Sequence, residues 1–176
     1  MDLTINGSKL HFLGDGYHDA NWSPQPINAA VDTWFFGSAQ IGPYDLSYIS
    51  ITPTNSQKVL TTGYLSHNGV VLENQCSLEG SKTKDISVIT PWGSHQDTVA
   101  NVLVPQGFII EYILQNGDQY RFNLTSTGGV QNPDQNVYHR WVGTGTGGKV
   151  GEPSFSGLTV FEWLNPGLAV YTPPSS

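Results

Sequence analysis

Apolar and polar residues alternate in short runs along most of the chain, which is the pattern of half-buried β-strands. In the run 33–41 the even-numbered residues, from Trp34 to Gln40, share one face of a strand, and the odd-numbered residues, from Phe35 to Ile41, share the other. No window shows the i, i+3, i+4, i+7 apolar stripe of an amphipathic helix. The pattern predicts strands over 10–13, 33–41, 44–51, 58–66, 70–76, 86–90, 99–104, 108–114, 119–124, 137–142 and 158–164.

Glycine, proline and asparagine separate these runs. Asn68-Gly69 and Asn116-Gly117 each lie between two strand-like runs, and Asn-Gly in that setting is the strongest short signal for a β-hairpin. Gly42-Pro43 predicts another turn, and Pro91-Trp92-Gly93 is expected to end the strand over 86–90. Loops are predicted over the remaining polar, proline-containing or glycine-rich stretches: 22–28, 80–85, 126–135 and 143–151.

About ten short strands at regular spacing predict an all-β fold, either a barrel or a sandwich. An antiparallel barrel of eight to ten strands fits, because runs such as 108–114 carry large side chains on both faces. One of those faces then turns towards a lumen or towards a missing partner domain. The chain has 176 residues, enough for a sizeable core. We predict a single barrel domain over 1–172 and a short tail over 173–176.

The charge balance disfavours several functions. Seven lysines and arginines accompany fourteen acidic residues, and the net charge of −7 disfavours nucleic acid and anionic membrane surfaces as partners. No run approaches the roughly 18 apolar residues of a membrane span. The five histidines have no paired spacing and Cys76 stands alone, so neither a metal site nor an internal disulfide is expected. No cofactor is expected either.

The stretch 14–22 holds the densest set of candidate site residues. It combines the phenol of Tyr17, the imidazole of His18, the carboxylate of Asp19, the amide of Asn21 and the indole of Trp22. The glycines at 14 and 16 let the backbone bend. Two interpretations stay open here. Either His18 and Asp19 act in one pocket, or His18 is a buried structural histidine and Asp19 caps a turn.

Aromatic residues are abundant, with five tryptophans and eight tyrosines. Some of them must fill the core. Tyrosine and tryptophan also line pockets for apolar ligands, because each offers a flat surface and one hydrogen-bonding group. The candidates for such a pocket are Trp22, Trp34, Tyr48, Tyr64, Trp92 and Trp141.

Several motifs together resemble those of a known family. They are Gly14-x-Gly16-Tyr17-His18-Asp19-x-Asn21-Trp22, then Trp34 with Gly37, Gly42-Pro43-Tyr44, Tyr138-His139-Arg140-Trp141-x-Gly143, and Gly157-x-x-x-Phe161-Glu162. They resemble the hydroxyneurosporene synthase (carotenoid hydratase) family, to which kievitone hydratase and the lipocalin-like Diels–Alderases of fungal natural-product pathways are related. Two departures weaken any proton-transfer role, because Ala20 and Ser23 replace a second histidine and a glycine.

This resemblance implies a two-domain protein, with an N-terminal β-sandwich and a C-terminal lipocalin-like barrel. The present chain is similar to the barrel half. The resemblance therefore implies that an N-terminal β-sandwich absent from this chain is its partner. An apolar small molecule is expected to bind between the halves or in the mouth of the barrel.

We expect an enzyme, and two mechanisms fit. A Diels–Alder or hetero-Diels–Alder cyclisation needs a pocket that folds a polyene and a donor that polarises it. His18 or His139 is the candidate donor, within a pocket shaped by aromatic residues that include Trp22 and Trp34. A hydratase needs an acid to protonate an alkene, with Asp19 and then Glu162 as candidates. A lipocalin-like carrier is the third possibility. We favour the cyclase, since Ala20 removes a potential proton relay.

Overall fold

The strand-forming runs fold into a nine-stranded antiparallel sheet accompanied by two small hairpins. The computed structural model describes residues 1–14, 16–56, 58–78, 86–97, 101–127 and 137–174, with the backbone alone at 77, 78 and 86. Its elements are β1 (Asp2–Ile5), β2 (Ser8–His11), α1 (Ile27–Ala30), β3 (Val31–Ile41), β4 (Tyr44–Pro53), β5 (Leu60–His67), β6 (Val70–Leu78), β7 (Ile86–Trp92), β8 (His95–Asp97), β9 (Val102–Val104), β10 (Gly107–Ile113), β11 (Gln119–Ser126), β12 (Tyr138–Lys149) and β13 (Phe155–Leu164).

The large sheet has the strand order β6-β5-β4-β3-β13-β12-β11-β10-β7 and curls back on itself. A Cβ atom on Gly63 of β5 would lie only 2.7 Å from the side chain of Ser87 on β7, so the far edge of the sheet packs against β5. Within the described residues no ladder joins β6 to β7. The all-β, lipocalin-like barrel expected from the sequence is therefore confirmed, as a curled antiparallel sheet.

Strand alternation places one set of side chains inside the curl. The largest fully buried ones are Trp141, Tyr48, Tyr112, Phe108, Phe122 and Phe161. The rings pack edge-on or tilted, as in the pair Phe108–Phe161 with centroids 5.4 Å apart. The inner one of the two bulky strand faces thus fills the barrel with side chains.

Both predicted Asn-Gly hairpins form. Asn68 and Gly69 have φ angles of 50° and 76°, which is the left-handed geometry that a tight hairpin between β5 and β6 requires. The loop around Gly117 joins β10 to β11.

The glycine-rich segment 143–151 was predicted as a loop, and most of it is strand instead. Strand β12 continues to Lys149 and pairs with β11 as far as Tyr120. A Cβ atom on Gly143 would lie 2.1 Å from the carbonyl oxygen of Thr125. The glycine therefore permits close backbone contact, which apolar periodicity does not reveal.

Three smaller expectations were also wrong. Pro91 does not end β7, because β7 is an edge strand on which a missing N–H is tolerated. Residues 27–30 form a single helical turn that begins in the predicted loop 22–28. The hairpin strands β1 and β8 were not predicted. Residues 80–85 and 98–100, and most of the stretch 126–135, lie outside the described residues.

One end of the barrel, where β12 begins and β13 ends, is covered by the β8–β9 hairpin and the C-terminal segment. Val104 of β9 is fully buried. The Tyr171 hydroxyl donates to the carbonyl oxygen of Gly93 at 2.7 Å, and its ring packs on Trp163. No helix in the described part of the chain has the length and hydrophobicity to cross a membrane.

Candidate functional site

The outer face of the sheet carries a polar cluster at the junction of β12, β13 and β3. Glu162 pairs in register with Arg140 on one side and with Phe36 on the other, so all three side chains lie on this face. Arg140 donates to Oε2 of Glu162 from Nε at 3.1 Å and from Nη2 at 2.9 Å. The Tyr138 hydroxyl donates to the same oxygen. Although it lies on the outer face, Glu162 is only 6% exposed.

The Tyr138 phenol is held in its protonated form. Burial raises its pKa far above the ordinary value, and the hydrogen bond to the Glu162 carboxylate acts in the same direction. The guanidinium of Arg140 lies 5.4 Å from the centre of the Tyr138 ring. Phenol, guanidinium and carboxylate thus form one compact group.

The motif segment, defined here as residues 16–26 and called the strap, contacts this outer face through Tyr17. The ring of Tyr17 packs on Phe36 with centroids 5.3 Å apart, which brings it beside Glu162. Its hydroxyl donates to Oδ2 of Asp19 at 3.4 Å, and the Asn21 amide donates to the same oxygen at 3.3 Å. Burial raises the pKa of Tyr17. The negative charge of Asp19 raises it further, and that of Glu162 raises it more weakly. Tyr17 therefore links the strap to the Glu162 cluster.

Other predicted residues line the same face. Trp34 lies two residues before Phe36 on β3, between Leu164 of β13 and Ile51 of β4. Its buried Nε1 has no hydrogen-bond partner among the described residues. Tyr64 lies opposite Ser47 on β4. Trp22 on the strap is 89% exposed. On β3, Phe36 and Trp34 thus place aromatic side chains on the face of the carboxylate.

His18 and Asp19 both lie on the exposed strap. The alternative of a buried His18 is therefore wrong, and no described residue hydrogen-bonds to its ring. Asp19 instead orients Tyr17 and Asn21.

The remaining candidates lie elsewhere. Tyr48, His139 and Trp141 point into the barrel and are fully buried. Nδ1 of His139 lies 3.2 Å from Oδ2 of Asp97, and the imidazole stacks on Trp141 and Trp163. Trp92 sits on the edge strand β7 and donates to the carbonyl oxygen of Leu124 at 3.3 Å. His139 therefore lies in the core, away from the outer face.

Sequence reasoning missed Tyr138, Arg140 and Phe36. The segment 138–141 was recognised, but the imidazole and the indole were chosen from it. Strand alternation carried the missing signal, because residues that share a face with Glu162 across β12 cannot be His139 or Trp141. No group of three His, Cys, Asp or Glu side chains that could hold a metal ion occurs in the described ranges.

A family profile matches most of the chain. The Diels-Alderase-like family profile matches residues 1–165. The quinolone epoxide rearrangement protein penF of Penicillium thymicola is 29% identical over 160 residues, which cover 89% of this chain and 41% of that protein. The chain thus spans less than half the length of this curated relative.

Two solved structures share the fold. The structure of CghA with Sch210972 matches with a TM-score of 0.59 and 16% identity, over 78% of this chain and 42% of CghA. Kievitone hydratase from Nectria haematococca matches with a TM-score of 0.53 and 10% identity, over 93% of this chain and 49% of the hydratase. At these identities the likeness concerns the fold alone.

Proposed function

The chain belongs to the Diels-Alderase-like family, and we propose that it forms the barrel part of an isomerase of secondary metabolism. The proposed enzyme rearranges or cyclises an apolar, oxygen-bearing small molecule with no net gain or loss of atoms. The observation that carries this proposal is the Glu162 cluster, a held carboxylate whose register partner Phe36 packs against the ring of Tyr17.

Such a face offers the substrate one hydrogen-bond donor and one acceptor. A phenol whose pKa is raised remains a neutral donor and can hydrogen-bond to a substrate oxygen. The nearby carboxylate can accept a proton or stabilise a developing positive charge. Trp22, Trp34 and Tyr64 supply the surface that orients the substrate, and Asp19 and Asn21 orient Tyr17.

Among isomerisations, we favour the rearrangement of an epoxide, as the name of the penF relative indicates for that protein. The Tyr17 hydroxyl donates to the epoxide oxygen while one C–O bond breaks. A substituent migrates with its electron pair to the carbon that lost the oxygen, and a carbonyl group forms. The Diels–Alder cyclisation favoured from the sequence needs only shape and one donor, and the same face could supply both.

The covering of this face is part of the proposal. Exposed apolar side chains continue from Glu162 along β12 and β13, with Val142 47%, Val160 40% and Leu158 74% exposed. A contiguous exposed apolar surface of this kind is typical of an interaction site. We place an N-terminal β domain there, since penF is more than twice as long as its matched part.

Product analysis in heavy water tests the function. The chain is supplied with an N-terminal domain from a relative and incubated with a quinolone epoxide and, separately, with a polyene that bears a dienophile. We expect a product of unchanged mass, and we expect Glu162→Gln to lower kcat/KM about 100-fold. Glu111→Gln, which alters a Glu–Arg pair on β10 and β11, is the matched control.

Other products would replace the proposal. A product heavier by one water, with deuterium on carbon, would indicate a hydratase. A ligand that is retained but unchanged would indicate a carrier.

A further inference from the structure

We propose that Tyr138 is a positioning residue that acts through Glu162, and that it and Arg140 hold one carboxylate oxygen so that the other faces the substrate. This inference rests on the proposed function, since it assigns roles within the same site. Neither residue needs to touch the reacting atoms.

The hydrogen bonds of Glu162 are unusually one-sided. A guanidinium normally grips a carboxylate as a fork, with one bond to each oxygen. Here both Arg140 nitrogens, and also the Tyr138 hydroxyl, bond to Oε2. Oε1 receives no hydrogen bond from the described residues. Because it is also absent from the buried polar atoms that lack a partner, it is open to solvent. An ionised carboxylate can accept about four hydrogen bonds, so Oε1 retains its capacity to accept.

Both arms of this clamp come from a single strand. Tyr138 and Arg140 are two residues apart on β12 and therefore share its outer face. Arg140 lies directly opposite Glu162, and Tyr138 lies two positions away, opposite Leu164. Between them His139 points inward, where it contacts Asp97 and stacks on Trp163. The core thus fixes the strand at the point from which the clamp reaches out.

Holding the carboxylate in this way has a chemical consequence. A carboxylate on a flexible side chain must lose rotamer freedom when it meets a substrate. With Oε2 fixed, the direction of Oε1 is set before binding. Tyr17 packs on Phe36, which pairs in register with Glu162. Loss of the clamp should therefore affect turnover more than substrate binding.

A double-mutant cycle in the isomerase assay tests the inference. We expect Tyr138→Phe, which keeps the ring, to lower kcat about tenfold with KM changed less than about twofold. In a Glu162→Met background, Tyr138→Phe should have no further effect on kcat. Equal losses of kcat in both backgrounds would overturn the inference, because Tyr138 would then act independently of Glu162. Tyr120→Phe, on β11 beside the Asp118–Lys149 pair, is the control expected to leave kcat unchanged.

The same four proteins provide a test that needs no substrate. In denaturant unfolding, Tyr138→Phe should change the unfolding constant about tenfold less in the Glu162→Met background than in the native chain. Such coupling without any isomerase activity would support the clamp and refute the proposed function alone. Absence of coupling would overturn the clamp, whatever the activity.

Discussion

Tyr17 shows how a side chain on a strap can be given a chemical role by the sheet beneath it. Its ring packs on Phe36, which pairs in register with Glu162. Its hydroxyl donates a long hydrogen bond, 3.4 Å, to Asp19, and it also hydrogen-bonds to the Ser47 side chain. A donor that is positioned but weakly engaged can turn to a substrate oxygen at little cost.

Removing this hydroxyl gives a residue-scale prediction. Tyr17→Phe keeps the packing on Phe36 and should lower kcat about 100-fold, because the donor to the substrate oxygen is lost. The pH profile adds a second criterion. Since burial raises the pKa of Tyr17 above its ordinary value, the phenol of the native protein stays protonated in mildly alkaline solution. The rate should therefore not decline between pH 8 and 9.5 through loss of this proton.

Steady-state kinetics of the isomerase reaction over that pH range is the measurement. Far-ultraviolet circular dichroism of both proteins checks that the fold is retained. A rate that rises with pH as the phenol ionises would show that the phenolate is the active form and would contradict a donor role.

The residue types of the site could be foreseen better than their arrangement. The density of functional groups in 14–22 pointed to Tyr17, Asp19 and Trp22, and the motif near the C-terminus pointed to Glu162. Their contact with one another depends on how a strap of some ten residues lies over β3, and local sequence does not encode that. Strand alternation turns His139 into the core, so the motif near the C-terminus does not by itself show which of its side chains share the face of Glu162.

At the scale of single elements, strand β12 shows where the alternation of apolar residues fails to predict a strand. Alternation identified β3 and β4, and Asn-Gly identified the β5–β6 and β10–β11 hairpins. Glycine contributes no apolar signal, so the second half of β12 looked like a loop. What defines it as strand is tight packing against β11, which is a tertiary property.

A substitution at Gly143 distinguishes the strand from the predicted loop. In β12 a Cβ atom at this position would lie 2.1 Å from the Thr125 carbonyl oxygen. Gly143→Ala should therefore destabilise the protein by about 2–3 kcal/mol, because backbone must move to relieve the overlap. A loop glycine would tolerate alanine.

Urea unfolding of Gly143→Ala measures this effect. The matched control is Thr144→Ala, at the next position on the exposed face of the same strand, which should change stability by less than about 0.5 kcal/mol. Equal stability of the two variants would argue against close packing of β12 on β11.

At the scale of the whole molecule, the packed interior of the barrel is distinct from the candidate site on its outer face. Its interior is occupied by aromatic rings, and one end is covered by the β8–β9 hairpin and Tyr171. The outer face carries the strap and the Glu162 cluster. The sequence could predict an antiparallel barrel from its strands, but not that β13 would lie between β3 and β12, since that pairing joins segments more than a hundred residues apart. This closing pair is what brings Glu162 beside Phe36 and the strap.

The exposed part of that outer face yields the last prediction, which concerns assembly. Leu158 is 74% exposed and should contribute little to the stability of this chain alone. If an N-terminal β domain covers β12 and β13, Leu158→Glu would bury a charge without a partner and weaken the assembly strongly. Co-elution of the chain with a separately expressed N-terminal part of penF, followed by size-exclusion chromatography, measures this. We expect the native chain to co-elute and Leu158→Glu to elute alone, with an unchanged melting temperature.

Val70→Glu is the control, because Val70 is 65% exposed but lies at the β5–β6 turn, away from the proposed contact. Co-elution that survives Leu158→Glu but not Val70→Glu would move the contact to the sheet edge and separate it from the Glu162 site.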